Sequence, residues 1–241
     1  MSFYSRFASA YEAVFPFSRD VYDYLQRHLP PTPASLLDVG CATGHYAGPL
    51  ALEGYALTAL DLDPKMIAYA GDHYAGVDFR VMDMLDIASL GLRFDGVFCI
   101  GNTAAHLTRE QFGDFVTSVN SVLTPAGVFI LQVMNWDHVL GQSEVTFPTI
   151  RAPGEVVFHR FYRDISDVTV TFATRLEVAG HLVFDDAVPL YPIRSGEIVA
   201  MCEPQGFQLV EHVGSYAGAR FDPEVFSASI FVFLRAGQDG V

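Results

Sequence analysis

Two glycines and three carboxylates between residues 38 and 83 are spaced as a nucleoside site would need them. The segment Asp38-Val39-Gly40-Cys41-Ala42-Thr43-Gly44 sits inside LLDVGCATGHYA, residues 36–47, at the end of a short apolar run. Glycine at 40 and 44 lets the backbone turn sharply and approach a ligand with no Cβ in the way. Asp61 closes the next apolar run, about 20 residues beyond Gly40, the spacing at which a carboxylate accepts hydrogen bonds from ribose hydroxyls. Asp83, in FRVMDML, closes the third, where an acceptor meets an adenine amino group. Taken singly, each has a plainer role, since G-x-x-x-G also describes an ordinary strand-to-helix turn and Asp is a common turn residue and helix cap. On a shared edge the carboxylates bracket a nucleoside.

The chemistry around the loop narrows which nucleoside. A nicotinamide fingerprint would need glycine at 42 and 45, where the chain has Ala42 and His45, and no G-K-[ST] of a phosphate loop is present. With pyrophosphate ligands disfavoured, a nucleoside with an uncharged linker, such as S-adenosylmethionine, fits better. Asp38 points the same way, because a carboxylate there repels phosphate but could hold an α-amino group, directly or through water. The formal charge is −14 and Lys65 is the only lysine among 14 basic residues, so a nucleic-acid partner is not expected. Cys41, Cys99 and Cys202 are widely separated with no C-x-x-C, which suggests neither a disulfide framework nor a structural zinc, and no metal is expected. The opening MSFYSRFASAYEAVFPFSRD lacks the pattern of an export signal, and runs such as GVFCIG and GVFILQVM are strand-sized, so the expectation is a cytoplasmic protein with no membrane partner.

The elements that must position these groups alternate. Strands are expected at 35–39, 56–60, 77–81, 94–100 and 127–134, with helices at 44–53, 64–74 and 109–123, the last capped by Thr108. Gly54 and Gly127 mark turns back into strands. Phe3, Phe7, Ala10 and Val14 recur at near-helical spacing, with Tyr4, Tyr11 and Tyr22 in or near that segment. After Asn135 the chain becomes rich in Val, Thr, Phe and Tyr over 144–193, with turns at APG, ISD and AGH, and reads as an antiparallel meander. SGEIVAMCEPQGF is a helix closed by Gly206, and FQLVEHV and FSASIFVFLRA supply a terminal hairpin. The expected fold is α/β, a Rossmann-like, doubly wound, mostly parallel seven-stranded sheet with an antiparallel β insertion after strand 5. It forms one domain over 1–241, with 144–193 as a lid-like insertion.

Taken in order, the segments resemble the class I S-adenosylmethionine-dependent methyltransferases over roughly residues 1–134. LLDVGCATG is similar to that family's first motif, TALDLDPKMIAYA to its second, FRVMDMLDI to its third and FDGVFCIGNTAAHL to its fourth, and TPAGVFIL looks like the strand that follows. Ala42 departs from the pattern, because glycine is common there. The resemblance implies S-adenosyl-L-methionine as the cofactor. It assigns the backbone around Gly40, Cys41 and Ala42 to the methionine part, Asp61 to the ribose, Leu62 and Met66 to the flank of the adenine, Asp83 and Met84 to its edge, and Ile100 and Gly101 to the methionine portion. NTAAHL, residues 102–107, is similar to the N-x-x-x-H-L stretch of the glycine, sarcosine and sugar N-methyltransferases. His106 is therefore the candidate acid/base or orienting residue, with a packing histidine as the plainer alternative. Tyr11 is the candidate cap and Tyr22 the candidate for reaching the methionine carboxylate, against the plainer reading of core or surface tyrosines.

The expected function is methyl transfer to a small-molecule acceptor, preferably an amine nitrogen. The alternatives are an O-methyltransferase and a non-catalytic module that binds S-adenosylmethionine or S-adenosylhomocysteine. Transfer is an in-line displacement at a sulfonium methyl, for which alignment in a dry pocket suffices. His159, Arg160, Arg163, Arg175 and Arg194 stand out in an acidic chain and could hold a carboxylate or phosphate of the acceptor, or else be solvated or paired with Asp164, Asp167 and Glu177. The aromatic meander and the terminal hairpin leave a homo-oligomer open.

Overall fold

The computed structural model describes residues 8–237, so Phe3, Tyr4 and Phe7 lie outside the described residues. A 3-10 turn at Ala8–Ala10 leads into α1 (Tyr11–Val14), followed by α2 (Arg19–His28). The wound half then runs β1 (Ser35–Val39), α3 (Ala47–Leu52), β2 (Ala56–Asp61), α4 (Pro64–His73), β3 (Val77–Val81), β4 (Phe94–Cys99), α5 (Arg109–Val122) and β5 (Leu123–Met134). Next come α6 (Trp136–Val139), β6 (Val145–Thr146), β7 (Ile150–Ala152), β8 (Val156–Arg163), β9 (Val170–Val178) and β10 (His181–Leu190). The chain ends with α7 (Ser195–Cys202), β11 (Phe207–Val213) and β12 (Ala228–Arg235).

The first sheet has seven strands in the order β3-β2-β1-β4-β5-β12-β11. All are parallel to their neighbours except β12, which runs antiparallel to both β5 and β11. Because β1 has β2 on one side and β4 on the other, the winding reverses there, the place where open α/β sheets form a crevice at their carboxyl ends. Helices cover both faces. Phe112, Phe115 and Val116 of α5 pack on Leu37, Val39 and Phe129 of the sheet, while Tyr24 and Leu25 of α2 and Leu50 of α3 pack on Leu36, Ala59 and Ile130. Burying a side chain such as Phe115 stabilises the fold by about 2 kcal/mol. The start of α5 follows the sequence closely, since Thr108 and Gln111 form a reciprocal capping box.

The local departures have local causes. Gly44 takes φ 78° and Ala42 φ 49°, so residues 44–46 belong to the turn and the helix begins only at Ala47. The fifth strand starts at Leu123 instead of 127, because Leu123 already pairs with Phe94 and the register then slips before Val128 pairs with Gly96. Ala126, at φ 62°, absorbs that irregularity, and Gly127 lies inside the strand. Gly206 closes the α7 segment at φ 84°.

The meander over 144–193 forms a second, antiparallel sheet in the order β10-β9-β8-β6, with β7 paired to β8. It packs on the carboxyl edge of the first sheet. Phe158, Leu176 and Phe184 join Val14, Ala42 and Met66 in one apolar cluster, the Trp136 and Tyr162 rings stack at 5.5 Å, and Tyr191 N–H donates to Ala105 O at 2.7 Å. No helix among the described residues is long and apolar enough to cross a membrane.

Gly48 of α3 tests how tightly this frame is packed. A Cβ there would lie 2.2 Å from Tyr74 Cδ1 and 2.9 Å from Tyr74 Cβ, the latter an atom fixed to the backbone. Helix propensity favours Ala over Gly by about 1 kcal/mol, whereas overpacking costs about 1–3 kcal/mol. Gly48→Ala is therefore expected to lower the urea midpoint at unchanged m-value. A higher midpoint would show that Tyr74 yields freely.

Candidate active site

A cavity of about 460 Å³ opens at the winding reversal, within the range that holds small molecules. The turns after β1 and β4 form its floor, α1 and the residues beside it one wall, and the second sheet its roof.

The β1 turn is built from backbone. Gly40 N–H and Cys41 N–H both donate to Leu60 O, at 2.8 and 2.9 Å, and Gly44 N–H donates to Cys41 O at 2.9 Å. Gly40 has φ 77°, and a Cβ on it would sit 2.3 Å from Thr103 Cγ2, so only glycine lets the β1 and β4 turns meet. Ala42 holds a left-handed conformation that costs an L-residue about 1–2 kcal/mol. Its N–H is held at 2.9 Å by Asp61 Oδ2, while Asp61 Oδ1 accepts from Asp63 N–H at 2.9 Å. Burial raises the Asp61 pKa, and the N–H groups it accepts from oppose that rise.

Asp38 differs in kind. It is 3% exposed and lines the cavity, and no hydrogen bond or ion pair reaches its carboxylate among the described residues. Burial, and after it the charge of Asp61, pushes its pKa well above the ordinary carboxylate range. Such a group is a place for a cation. Burial likewise pushes up the Cys41 and Cys99 thiols, with Asp38 adding to both, so neither is a ready thiolate.

After β4 the chain turns through Gly101 at φ 73° and Asn102 at φ 63°. Gln132 Oε1 accepts from Gly101 N–H at 2.7 Å and from Asn102 N–H at 3.3 Å, while Asn102 Oδ1 accepts from Met134 N–H at 2.9 Å. These bonds bolt the turn to β5. The 3-10 turn Thr103–His106 follows and brings His106 to the cavity, where burial lowers its pKa and leaves a neutral imidazole near pH 7. Tyr11 lines the cavity from α1, its ring 5.9 Å from His45 and 5.3 Å from Phe15.

Of the sequence-derived candidates, the structure thus gathers Tyr11, Asp38, Gly40, Cys41, Ala42, Ile100, Gly101 and His106 around one cavity. Others stand off it. Tyr22 is a correction. It is buried with its hydroxyl donating to Pro49 O at 3.4 Å, so it faces α3, and its neighbour Val21 and Tyr46 line the cavity instead. Gly44 lies against the Phe79 ring, where a Cβ would approach to 2.7 Å. Leu62 is 69% exposed, and Met66 is buried in the cluster with Val14 and Ala42. Asp83 caps the 3-10 turn Met84–Leu90 through Leu85 N–H at 2.9 Å, and Met84 packs on the main core. Asp61 and Asp83 nevertheless share the carboxyl edge, since β2 and β3 are parallel neighbours and Met82 N–H donates to Asp61 O at 3.0 Å.

Sequence reasoning missed Asn102 and Gln132. The signal was present for Gln132, one amide inside the apolar run VFILQVM, 8% exposed in the strand. Among the basic candidates, Arg175 pairs with Glu177 and Asp185, Arg194 with Asp167, His159 meets Thr149 and Arg163 lies over Phe161. Arg160 alone of these five lines the cavity. No group of three or more His, Cys, Asp or Glu side chains among the described residues could hold a metal.

Comparison with known proteins bears on residues 36–127, which match the methyltransferase domain family. The chain is 25% identical over 167 residues to a glycine N-methyltransferase of Oryctolagus cuniculus, an alignment covering 61% of this chain and 54% of that one. It is 31% identical over 135 residues to a ubiquinone biosynthesis O-methyltransferase of Xylella fastidiosa, covering 49% of this chain and 54% of the other. The chain thus spans about half the length of these relatives. The fold is shared with an S-adenosylmethionine-dependent methyltransferase from Clostridium acetobutylicum, at TM-score 0.81 and 16% identity over 98% of this chain and 100% of that one.

Asp38 sets a stability test. Its folded pKa lies well above the unfolded value near 3.8, so the folded state loses stability as pH rises from there toward the folded pKa. Asp38→Asn is expected to raise Tm by about 3 °C or more at pH 7.5, with the difference vanishing near pH 3.5. An unchanged or lower Tm at pH 7.5 would mean that the charge is compensated.

Proposed function

We propose that the chain is a class I S-adenosylmethionine-dependent methyltransferase that binds S-adenosylmethionine along the carboxyl edge of its first sheet and methylates a small-molecule acceptor, preferably at an amine nitrogen. The observation that carries this reading is Asp38, a buried carboxylate facing a cavity with no protein cation beside it among the described residues. An α-ammonium group would supply the missing charge.

The residues present fit that cofactor. Asp38 and the turn Gly40–Cys41–Ala42, shaped by Gly44, would hold the methionine portion together with Ile100 and Gly101. Asp61 uses one lone pair of each oxygen on backbone N–H groups and keeps others for ribose hydroxyls. Leu62 and Met66 would flank the adenine, with Asp83 and Met84 at its edge. When bound, the cofactor supplies an electrophilic methyl group on a sulfonium.

The chain supplies alignment, dryness and proton transfer. The second sheet, proposed here as a lid within a single domain spanning 1–241, roofs the cavity with aromatic rings that exclude water. His106, kept neutral by burial, accepts the proton of an acceptor ammonium, which frees the nitrogen lone pair that then attacks the methyl group. Tyr11 closes the wall beside it. Likeness to the glycine N-methyltransferase and the NTAAHL segment support nitrogen as the target, while likeness to the ubiquinone biosynthesis enzyme supports the second reading, an oxygen acceptor. The three buried, free cysteines suit a cytoplasmic setting.

Two measurements test the reading. Transfer of labelled methyl from S-adenosylmethionine to a panel of small amines and phenols should give methylated amine, and no transfer together with tight cofactor binding would favour a non-catalytic module. On the acceptor found, kcat should fall on acidification as His106 protonates, with the break below the ordinary histidine value. His106→Asn is expected to lower kcat roughly a hundredfold and to remove that acid limb. Retention of the limb would limit His106 to orienting the acceptor. Asp38→Asn should weaken calorimetric binding of S-adenosylhomocysteine by roughly tenfold or more, and equal affinity would take Asp38 out of the site.

A further inference from the structure

We propose that Arg160 anchors the acceptor and that the acceptor carries a carboxylate on a flat, apolar body. This assignment rests on the reading of the cavity as a methyl-transfer site and specifies what enters it opposite the cofactor.

Arg160 lies on β8 and lines the same cavity as Asp38 and His106, but comes from the second sheet while they come from the first. Its Nε–H is buried and has no hydrogen-bond partner among the described residues. Its one hydrogen bond among the described residues runs from Nη2 to Pro148 O at 3.5 Å, the limit of such a contact. It makes no ion pair among the described residues, whereas Arg175 and Arg194, farther along the chain, pair with acids. The guanidinium carbon sits 5.1 Å from the centre of the Phe147 ring and 5.8 Å from that of Phe15. These rings orient the group and exclude water, but they carry no negative charge. Burial accordingly pulls its pKa below the ordinary arginine value. A desolvated cation in this state is costly unless a ligand brings the anion, and the fork of Nε–H and Nη–H matches the two oxygens of a carboxylate.

Charge balance selects carboxylate over phosphate. Among the described residues Arg160 is the only Arg or Lys in the lining, and the histidines there, His45 and His106, are held neutral by burial. One guanidinium balances one negative charge, whereas a phosphate monoester would leave a second unmatched in a cavity that already contains Asp38. The body of the acceptor is set by the walls, where Phe147, Phe158, Tyr162 and Phe172 present ring faces and edges. With its carboxylate on Arg160, the acceptor can offer its nucleophile toward His106.

The test uses the full chain and matched probes, namely benzoate against benzamide, 4-aminobenzoate against 4-aminobenzamide, and phenyl phosphate, each titrated calorimetrically with and without saturating S-adenosylhomocysteine. The acids are expected to bind about tenfold or more tightly than their amides. Arg160→Met should erase that preference and Arg160→Lys should keep part of it. Equal binding of acids and amides, binding of none of them, tighter binding of phenyl phosphate than of benzoate, or an undiminished preference in Arg160→Met would each overturn the assignment. If the wild-type chain keeps the acid preference but does not bind S-adenosylhomocysteine, the cofactor reading fails and the anchoring role of Arg160 stands.

Discussion

The cavity depends on how the turn after β1 is held. Three backbone N–H groups, those of Gly40, Cys41 and Ala42, are drawn toward β2, two onto Leu60 O and one onto the Asp61 carboxylate. That clamp forces left-handed backbone at Gly40 and Ala42 and keeps the helix from starting before Ala47. It also leaves Asp38, the last side chain but one of a strand buried from Leu36 to Val39, beside the gap that the turn creates. A conventional turn that ran straight into its helix would fill this space with side chains. The price is strain at Ala42 and a carboxylate in a dry place.

The β4 turn answers it. Gly101 and Asn102 reverse the chain in two left-handed steps, and the amide of Gln132 binds the freed N–H groups from the neighbouring strand. Thr103 then packs where a Cβ on Gly40 would have been. The two turns are therefore mutually dependent, and the 3-10 segment that presents His106 inherits its position from both. Rigid placement of this kind is what a displacement reaction requires, since the gain comes from geometry set before the reactants meet.

Two charges in this region lack partners in the described structure, Asp38 on the first sheet and Arg160 on the second. They lie in one cavity and do not form a bridge to each other. Each lowers the stability of the folded chain, because desolvation is not offset by a counter-ion. The aromatic packing of the second sheet and the doubly covered first sheet supply the stability that tolerates them. A region of strain and unmet charge within an otherwise well-satisfied fold is where ligands are expected to be bound.

Much of the fold was legible in the sequence for a local reason. The apolar run of buried β1 and the two-residue apolar–polar alternation of β3 at the sheet edge bounded 35–39 and 77–81 correctly, and Thr108 with Gln111 announced α5 through a cap that needs only neighbours. The turn at Gly40, the hairpin of β11 and β12 and the meander were visible through composition and spacing. What the sequence left open depended on distant partners. The start of β5 at Leu123 follows from pairing with Phe94 on another strand, and the burial of Tyr22 against Pro49 follows from how α2 lies on α3. Five basic residues of the meander region looked equivalent in the sequence, and only the packing of the second sheet on the first separated Arg160 from the rest. The sequence alone determined the order of elements and the carboxylates at the strand ends, because backbone preference and apolar periodicity act over a few residues. The tertiary structure decided which charges go unpaired, because desolvation depends on everything that packs around a group.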